Sequence, residues 1–326
     1  SLVGSEMCIR DRITGTSLGG FPAAYAETQA EYMASGKATE QEKLVAGCPE
    51  YAFNEYLQIG LEQGLVGLAL FIGWLGLLFY KGIKNKRYAC CGGLMSLAIF
   101  AFSSYPLQLP EFWVVLIFLG VMSVTPDKDE IRENQAESNG HRWGKQIFFM
   151  GIAILGIGLF WMQKDHYKAY QQWNKAQMFY NNKAYEAALE VYEPLYPLLK
   201  HKPEFLFEAA QSLSKTGQYE KANEYLERAV LLSSDPMLYY VMAKNEQCLG
   251  EYRQAEKHLL HAIDILPERI YPYYLLMNLY TEPSYFQPAK LKMAIDSVLT
   301  KKPKVESSAI KEMKEKARSM LNNTSI

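Results

Sequence analysis

The feature that most constrains the fold of this sequence is a motif that recurs every 33 or 34 residues in its C-terminal half. Residues 217–222 (GQYEKA) recur as residues 250–255 (GEYRQA), and residues 182–188 (NKAYEAA) lie about one period earlier. A unit of this length accommodates one pair of antiparallel helices, which cannot bury its apolar side alone. The period therefore predicts an all-α array in which successive helical pairs stack and share a continuous core.

Small residues occupy equivalent positions in successive copies of this motif. Ala176, Ala210 and Ala243 fall at the same point of the first helix, where a small side chain lets the paired helices approach closely. The pattern resembles the tetratricopeptide repeat. We expect four copies within residues 164–321, of which the fourth is degraded and is followed by an amphipathic terminal helix that covers the end of the stack.

A repeat array of this kind implies a groove that binds a partner protein, and the sequence does not name that partner. Five tyrosines are candidates to line the groove: Tyr239, Tyr240, Tyr271, Tyr273 and Tyr274. The favoured interpretation is that most of them pack between helices, because aromatic side chains fill the gaps that the small residues leave.

Four apolar segments before the repeats predict membrane-spanning helices. The first, residues 57–80, is apolar apart from Glu62 near its start, and it is followed by residues 88–105, 111–125 and 147–163. An α-helix needs about 20 apolar residues to cross the hydrocarbon core of a bilayer, so the first segment is long enough and the others are short. The alternative is that the shorter segments are buried helices of a soluble core.

The distribution of basic residues predicts the orientation of these spans. Residues 81–87 (KGIKNKR) and the polar linker of residues 126–146 contain Lys and Arg, whereas the turn at residues 106–110 (PLQLP) contains neither. Basic loops are enriched on the cytoplasmic side of a membrane. We therefore expect residues 13–56 and the repeat array on the opposite, extracytoplasmic side.

The first residues of the chain fit none of these patterns. Residues 1–12 (SLVGSEMCIRDR) resemble a translated sequencing-adapter peptide, so we exclude them and expect native sequence upstream. The predicted organisation is then an extracytoplasmic loop, three membrane spans, a cytoplasmic linker, a fourth span and the repeat domain, at residues 13–56, 57–125, 126–146, 147–163 and 164–321.

A short polar motif leads directly into the first predicted span. It consists of residues 54–58 (NEYLQ) followed by Glu62, Gly64 and Gly67, and residues 15–21 (GTSLGGF) precede it. These residues resemble the O-antigen ligase and polymerase family. The resemblance implies a GT-C-like glycosyltransferase of the bacterial cytoplasmic (inner) membrane, which uses no cofactor and moves a glycan from undecaprenyl pyrophosphate to a glycan or protein acceptor.

The resemblance makes Asn54, Glu55 and Glu62 the candidate catalytic residues. Family members commonly carry a His before the Asn as the favoured base, whereas this chain has Phe53, so that a carboxylate of Glu55 or Glu62 is the expected substitute. The structural alternative is that Asn54 caps the following helix and that the acids lie near its positive end. Outside the membrane, only Lys37 and Lys43 precede the first span once residues 1–12 are excluded, so we expect this chain alone to be catalytically inactive.

Composition excludes other classes of function. The net charge is −1 and neither sign is in excess, which argues against a nucleic-acid partner. The five cysteines have no CxxC spacing, which argues against a zinc site or a disulfide framework. The alternative to the transferase is a membrane-anchored scaffold whose repeats recruit partners in cell-envelope assembly, although a simple anchor needs only one span.

Overall fold

The computed structural model describes residues 13–125, 163–303 and 305–323, together with residues 150, 151, 154, 156, 158 and 161. The suspected artefact at the N-terminus and the predicted linker lie outside these residues, as does most of the predicted fourth span. The regular structure of the described residues is helical, in agreement with the predicted all-α class.

The chain forms two compact units, each of which combines two separate stretches of sequence. The first unit contains the chain up to residue 21 and residues 51–167, and the second contains residues 22–50 and 168–326. The predicted loop of residues 13–56 therefore contributes to both units.

The first unit is built on one long helix, α3, which follows two short helices of the preceding loop, α1 (Phe21–Ala34) and α2 (Glu40–Val45). Helix α3 (Glu55–Lys84) begins where the Oδ1 atom of Asn54 accepts a hydrogen bond from the backbone amide of Leu57 at 3.0 Å. Among the described residues, α3 is the one helix that is long and apolar enough to cross a membrane.

Two shorter apolar helices pack against α3. These are α4 (Tyr88–Ser103) and α5 (Pro110–Val124), which have 16 and 15 residues. At about 1.5 Å per residue neither reaches the roughly 30 Å of a hydrocarbon core, so the prediction of several spans is supported for α3 alone. The three helices share a small core: Leu75, Leu78, Leu94 and Leu116.

Helix α3 is interrupted at Gly64, whose φ of 70° and ψ of −176° are not helical. The backbone amides of Thr16 and Ser17 donate hydrogen bonds to the carbonyls of residues 61 and 62, at 2.9 and 3.0 Å. A Cβ atom at position 64 would lie 2.0 Å from the carbonyl oxygen of Ile13. Glycine is therefore required both for this backbone conformation and for the close approach of the preceding chain.

The second unit contains the repeats as four successive helical pairs with a terminal helix. In chain order its helices are α6 (Lys164–Asn181), α7 (Tyr185–Leu199), α8 (Pro203–Lys215), α9 (Tyr219–Val230), α10 (Met237–Leu249), α11 (Tyr252–Ile265), α12 (Ile270–Tyr280), α13 (Pro288–Thr300) and α14 (Ser308–Asn323).

The same turn joins the two helices of the first three pairs. Lys183, Gly217 and Gly250 have φ angles of 61°, 82° and 81°, and they are spaced by one repeat. In each turn the amide of the next residue donates to the carbonyl five positions earlier, at 2.8 to 2.9 Å. This is the Schellman arrangement, which ends a helix on a left-handed residue. The motif that reveals the period in the sequence is therefore the turn together with the start of the second helix.

The small residues of the repeat pattern are buried as predicted. Ala176 and Ala210 are 0% exposed and Ala243 is 2% exposed. The alanines of the second helices, Ala188 and Ala222, are also fully buried. Since a larger side chain at these positions would push the paired helices apart, close packing explains the residue choice.

The fourth pair is degraded in sequence and is held by one carboxylate. Glu256 on α11 accepts hydrogen bonds from the Tyr280 hydroxyl at 2.6 Å, from the Tyr285 hydroxyl at 2.7 Å and from the Lys290 ammonium at 2.7 Å. The three donors lie at the end of α12, in the following 3₁₀ turn and at the start of α13. Glu256 therefore ties the whole fourth pair to the third.

Candidate functional site

The first helices of successive pairs form one face of the array. Helices α8 and α10, α10 and α12, and α12 and α14 contact one another. We call the side chains that link these helices the first-helix face: Trp173, Gln177, Tyr180, Glu208, Gln211, Lys244, Tyr271, Tyr274, Asn278 and Lys316. Stacked helical repeats bind partners on extended surfaces of this kind.

At one end of the first-helix face a carboxylate accepts three hydrogen bonds. Glu208 accepts from the indole of Trp173 at 2.7 Å, from the amide of Gln177 at 2.9 Å and from the hydroxyl of Tyr192 at 3.0 Å. Burial raises the pKa of Tyr192, and the charge of Glu208 raises it further. Since the oxygens of Glu208 are engaged in these bonds, this end of the face is a structural link between α6, α7 and α8.

At the other end of the face two lysines lie over tyrosine rings. The ammonium of Lys244 donates to the Tyr271 hydroxyl at 2.6 Å and lies 5.2 Å from the centre of that ring. The ammonium of Lys316 donates to the amide oxygen of Asn278 at 2.9 Å and lies 5.3 Å from the centre of the Tyr274 ring. The two rings are stacked, with centroids 6.5 Å apart. The result is a continuous row that runs from α10 across α12 to α14.

The row carries positive charge that the described residues do not neutralise. Both lysines are exposed. The ion pairs found among the described residues include neither Lys244 nor Lys316. An ammonium held over an aromatic ring can still donate hydrogen bonds to a carboxylate of a ligand. This end of the first-helix face is therefore a candidate site for an acidic ligand.

The five tyrosines named from the sequence have different surroundings. Tyr271 and Tyr274 belong to the first-helix face, whereas Tyr240 is 4% exposed and its hydroxyl has no hydrogen-bond partner among the described residues. Tyr273 donates to a backbone carbonyl at 3.1 Å, and burial raises its pKa to about 12. Tyr239 donates to Glu27 at 3.2 Å. Packing between helices thus accounts for some of them and surface contacts for the others.

The three candidate catalytic residues lie together near the start of α3. Asn54 is the helix cap, and Glu55 is 1% exposed and accepts from the backbone amide of Leu107 at 2.8 Å. Glu62 is 8% exposed and accepts from the side-chain amide of Gln58 at 3.3 Å. Each of the three therefore has a structural partner, as the alternative interpretation of the sequence expects. A catalytic role for them stays a prediction.

Residues that the sequence analysis missed carry most of the contacts of the first-helix face. Glu208, Lys244 and Lys316 do not fall at equivalent positions of the repeat. Charged residues of this kind are common on exposed helix surfaces, and the periodic pattern marks only the buried positions. No group of His, Cys, Asp or Glu that could hold a metal ion occurs within the described parts of the chain.

One family model matches the chain. It is described as "Anaphase-promoting complex, cyclosome, subunit 3", and it matches residues 181–262, from the end of α6 to α11. No curated protein sequence matches the chain.

Solved structures resemble the chain over about half of its length. A MamA protein is 17% identical, with 47% of this chain and 88% of that chain covered and a TM-score of 0.39. MamA 41-end from Desulfovibrio magneticus RS-1 is 19% identical over 49% and 98% of the two chains, with a TM-score of 0.38. The Yersinia enterocolitica type III secretion chaperone SycD, in complex with a peptide of the translocator YopD, is 16% identical over 46% and 92%, with a TM-score of 0.29.

The repeat period, the recurring left-handed turns and the family match agree with one another. The family match at residues 181–262 covers the left-handed turns at Lys183, Gly217 and Gly250 and most of the buried alanines that recur with the period. The C-terminal half of the chain is a tetratricopeptide-like helical repeat array.

Proposed function

We propose that this protein is a membrane-anchored scaffold that binds an acidic segment of a partner protein at the positively charged end of its first-helix face. The observation that carries the proposal is the row of Lys244, Tyr271, Tyr274 and Lys316. Its two exposed ammonium groups have ring, hydroxyl and amide partners, and no carboxylate of the described residues pairs with them. A carboxylate-rich segment complements this surface by charge-assisted hydrogen bonds.

Membrane anchoring is supported by the properties of the first unit. Helix α3 has 30 residues, and much of its apolar surface is exposed, as at Leu65, Leu70 and Leu77, which are 62%, 70% and 62% exposed. Soluble proteins rarely leave such a patch in water. We propose that the repeats lie on the extracytoplasmic side of the bacterial cytoplasmic membrane. Residues 81–87, at the C-terminal end of α3, are basic and are expected in the cytoplasm. Residues 22–50, which precede α3, belong to the same compact unit as the repeats, so the repeats are expected on the side opposite residues 81–87.

Charge reversal at both lysines tests the binding proposal. The full chain in lipid nanodiscs is titrated with a fluorescent peptide that ends in Asp and Glu residues, and with a matched peptide in which these are Asn and Gln. We expect Lys244→Glu combined with Lys316→Glu to weaken binding of the acidic peptide at least tenfold. Salt should also weaken it, because exposed charges are screened.

A matched double variant controls for the change in net charge. Lys175→Glu with Lys292→Glu reverses two exposed lysines that lie outside the row. These changes should leave the affinity within about twofold, because they make the same change in net charge without altering a residue of the row and because salt screens exposed charges. Equal binding of the acidic and amide peptides, or an equal loss in both double variants, would refute the proposed site.

Sidedness is tested separately. Single cysteines placed at Lys84 and at Lys292, in a background without the native cysteines, are labelled from outside intact spheroplasts with a membrane-impermeant maleimide. Labelling at position 292 and protection at position 84 is the expected result. The reverse pattern would place the repeats in the cytoplasm and would refute their proposed extracytoplasmic location.

Glycan transfer from undecaprenyl pyrophosphate is the second candidate function. One observation favours it besides the resemblance: Glu55 and Glu62 are buried near one end of an apolar helix, where ionisable residues commonly serve a function. Deletion of the complete gene should then cause undecaprenyl-linked glycan to accumulate, and Glu55→Gln or Glu62→Gln in the complete protein should reproduce the effect. Normal levels of lipid-linked glycan in the deletion strain would exclude this function.

A further inference from the structure

A segment that precedes α3 packs on the repeat array, although residues 51–163 separate it from the repeats in the sequence. Helices α1 and α2 belong to the same compact unit as α6 to α14. The chain enters this segment at residue 22 and leaves it at residue 50, and on both sides it continues into the first unit. The segment is therefore a covalent link between two units that sequence analysis treats as separate.

The apolar part of this contact is small and is built from small side chains. Ala26 and Ala30 lie four residues apart on α1, and they are 4% and 3% exposed. They pack against Ile265 and Leu266 at the end of α11. Two alanines on one helical face allow a close approach but bury little area, so polar contacts must contribute to the specificity of docking.

A glutamine joins the segment to the end of α11. The side-chain amide of Gln29 donates to the carbonyl of Ile265 at 2.7 Å and to the carbonyl of Gly47 at 3.1 Å. The last carbonyls of a helix have no partner within that helix. Gln29 thus satisfies one of them and at the same time fixes the chain that follows α2.

An ion pair lies at the edge of the same contact. A carboxylate oxygen of Glu27 is 3.1 Å from Nε2 of His261 and accepts from the Tyr239 hydroxyl at 3.2 Å. The Tyr239 and His261 rings pack edge to face, with centroids 4.8 Å apart. Among the described residues, Glu27 is the one residue of α1 that forms a hydrogen bond with these two side chains.

We propose that residues 22–50 form a pH-sensitive latch, in which the Glu27–His261 pair fastens the segment to the third repeat while His261 is protonated. The geometry supports this, because the pair lies at the edge of a limited contact. The other contacts include a small apolar cluster, the Gln29 hydrogen bonds and a hydrogen bond of 3.4 Å from the Ser234 hydroxyl to the carbonyl of Pro49. The side chains of the pair are 57% and 27% exposed, so the ion pair contributes a few-fold, not orders of magnitude, to the docking equilibrium.

The other groups around His261 do not cancel the effect of Glu27 on the pKa of His261. On its own helix, Asp264 favours the protonated ring and Lys257 disfavours it. From α10, Tyr239 faces the ring, and from α1 Glu27 does. His258, one turn earlier, has its Nδ1 atom 2.9 Å from a carboxylate oxygen of Glu246 and makes a different pair within the repeats.

The sign of the effect follows from both members of the pair. The hydrogen bond to Glu27 raises the pKa of His261 above its ordinary value of 6.5, and the hydrogen bond from His261 lowers the pKa of Glu27 below 4.5. The histidine contribution is complete below pH 6.5 and is lost as the pH rises through the raised value. The glutamate contribution is complete above pH 4.5 and is lost as the pH falls through the lowered value. Docking is therefore strongest between about pH 4.5 and 6.5 and weakens as the pH rises through the raised pKa of His261.

Hydrogen exchange of the full chain in lipid nanodiscs tests the latch. Protection of the amides in α1 is measured at pH 6 and pH 8 and is corrected for the intrinsic pH dependence of exchange. We expect protection to fall by about two- to fivefold between these values in the unmodified protein. In His261→Gln, which keeps a polar side chain but cannot titrate, protection should be low and equal at both values.

The control variant is His258→Gln, which alters the neighbouring histidine on the same helix and should keep the two- to fivefold change. Protection of α8 and α9 reports whether the repeats remain folded in every variant. The proposal is overturned if α1 shows the same pH dependence in His261→Gln as in the unmodified protein, or if the segment is unprotected at pH 6. None of these results depends on whether the first-helix face binds an acidic partner.

Discussion

Replacing Glu256 by alanine should detach the fourth helical pair from the repeat array. Its two carboxylate oxygens accept from Tyr280, Tyr285 and Lys290, which lie on three consecutive elements of that pair. In stacks of repeats each unit is stabilised chiefly by its neighbours, so the loss should be local. We expect the substitution to unfold α12 and α13 at lower denaturant concentrations than the first two pairs.

The magnitude follows from the surroundings of each donor. Tyr280 is 3% exposed, and an orphaned hydroxyl at a buried position costs about 1–3 kcal/mol. The Lys290 side chain is 48% exposed, so its half of the ion pair is worth at most about 1 kcal/mol. Tyr285 is partly exposed and can be rehydrated. The total is roughly 1–4 kcal/mol, and Glu256→Gln, which keeps one acceptor oxygen, should lose about half of it.

The assay is urea titration of the full chain followed by hydrogen exchange of individual helices. Glu227→Ala is the matched control, because Glu227 is an exposed carboxylate on a second helix. Its free energy of unfolding should change by less than about 0.5 kcal/mol. This account of the fourth pair is refuted if Glu256→Ala also changes the free energy of unfolding by less than about 0.5 kcal/mol. It is also refuted if Glu256→Ala reduces protection in α8 and α9 instead of α12 and α13.

Three further predictions concern backbone conformation and pH. Gly64→Ala should destabilise the first unit by at least about 1–3 kcal/mol, measured by thermal unfolding in detergent. The control is Gly73→Ala, which should be neutral or stabilising because nothing lies within 4 Å of the new Cβ atom. Gly250→Ala should lower the free energy of unfolding of the repeats by about 1 kcal/mol, while Lys183→Gly, at the equivalent left-handed turn, should leave it unchanged or raise it slightly. Acid should release the fourth pair selectively. Burial raises the pKa of Glu256, but its hydrogen bonds outweigh burial and hold that pKa below 4.5. The contribution of Glu256 to stability is therefore complete above pH 4.5 and is lost as the pH falls through the lowered pKa, and hydrogen exchange of α12 at pH 3 and pH 6 measures this loss.

The repeat array could be predicted from the sequence because its determinants are local and recur. The left-handed residue, the tyrosine that begins the second helix and the buried alanine each occupy a fixed place within 33 or 34 residues. Contacts between neighbouring pairs are the same from one pair to the next, so one period in the sequence specifies one unit of the structure. The helix cap at Asn54 was open to prediction for the same reason, since capping involves residues three positions apart.

The lengths of the apolar helices were less accessible to prediction. Composition alone places a span wherever apolar residues continue, and it predicted several spans before the repeats. The turn at Pro106–Gln108 separates the end of α4 from the start of α5, and these helices have 16 and 15 residues. The interruption of α3 at Gly64 likewise depends on a segment that returns from residues 13–17.

Most polar contacts of the functional surfaces were decided only by the tertiary structure, although the sequence named Tyr271 and Tyr274 of the first-helix face. Glu27 meets His261 across 234 positions and Gln29 meets Ile265 across 236, and no periodic pattern relates these residues. Glu256 likewise gathers its donors because three separate elements converge on it. The sequence by itself thus determined which helices form in the repeat array and how neighbouring pairs stack, since burial repeats with the period. Which charges face one another was settled only when distant segments packed together, because polar contacts depend on individual positions in space and not on periodic burial.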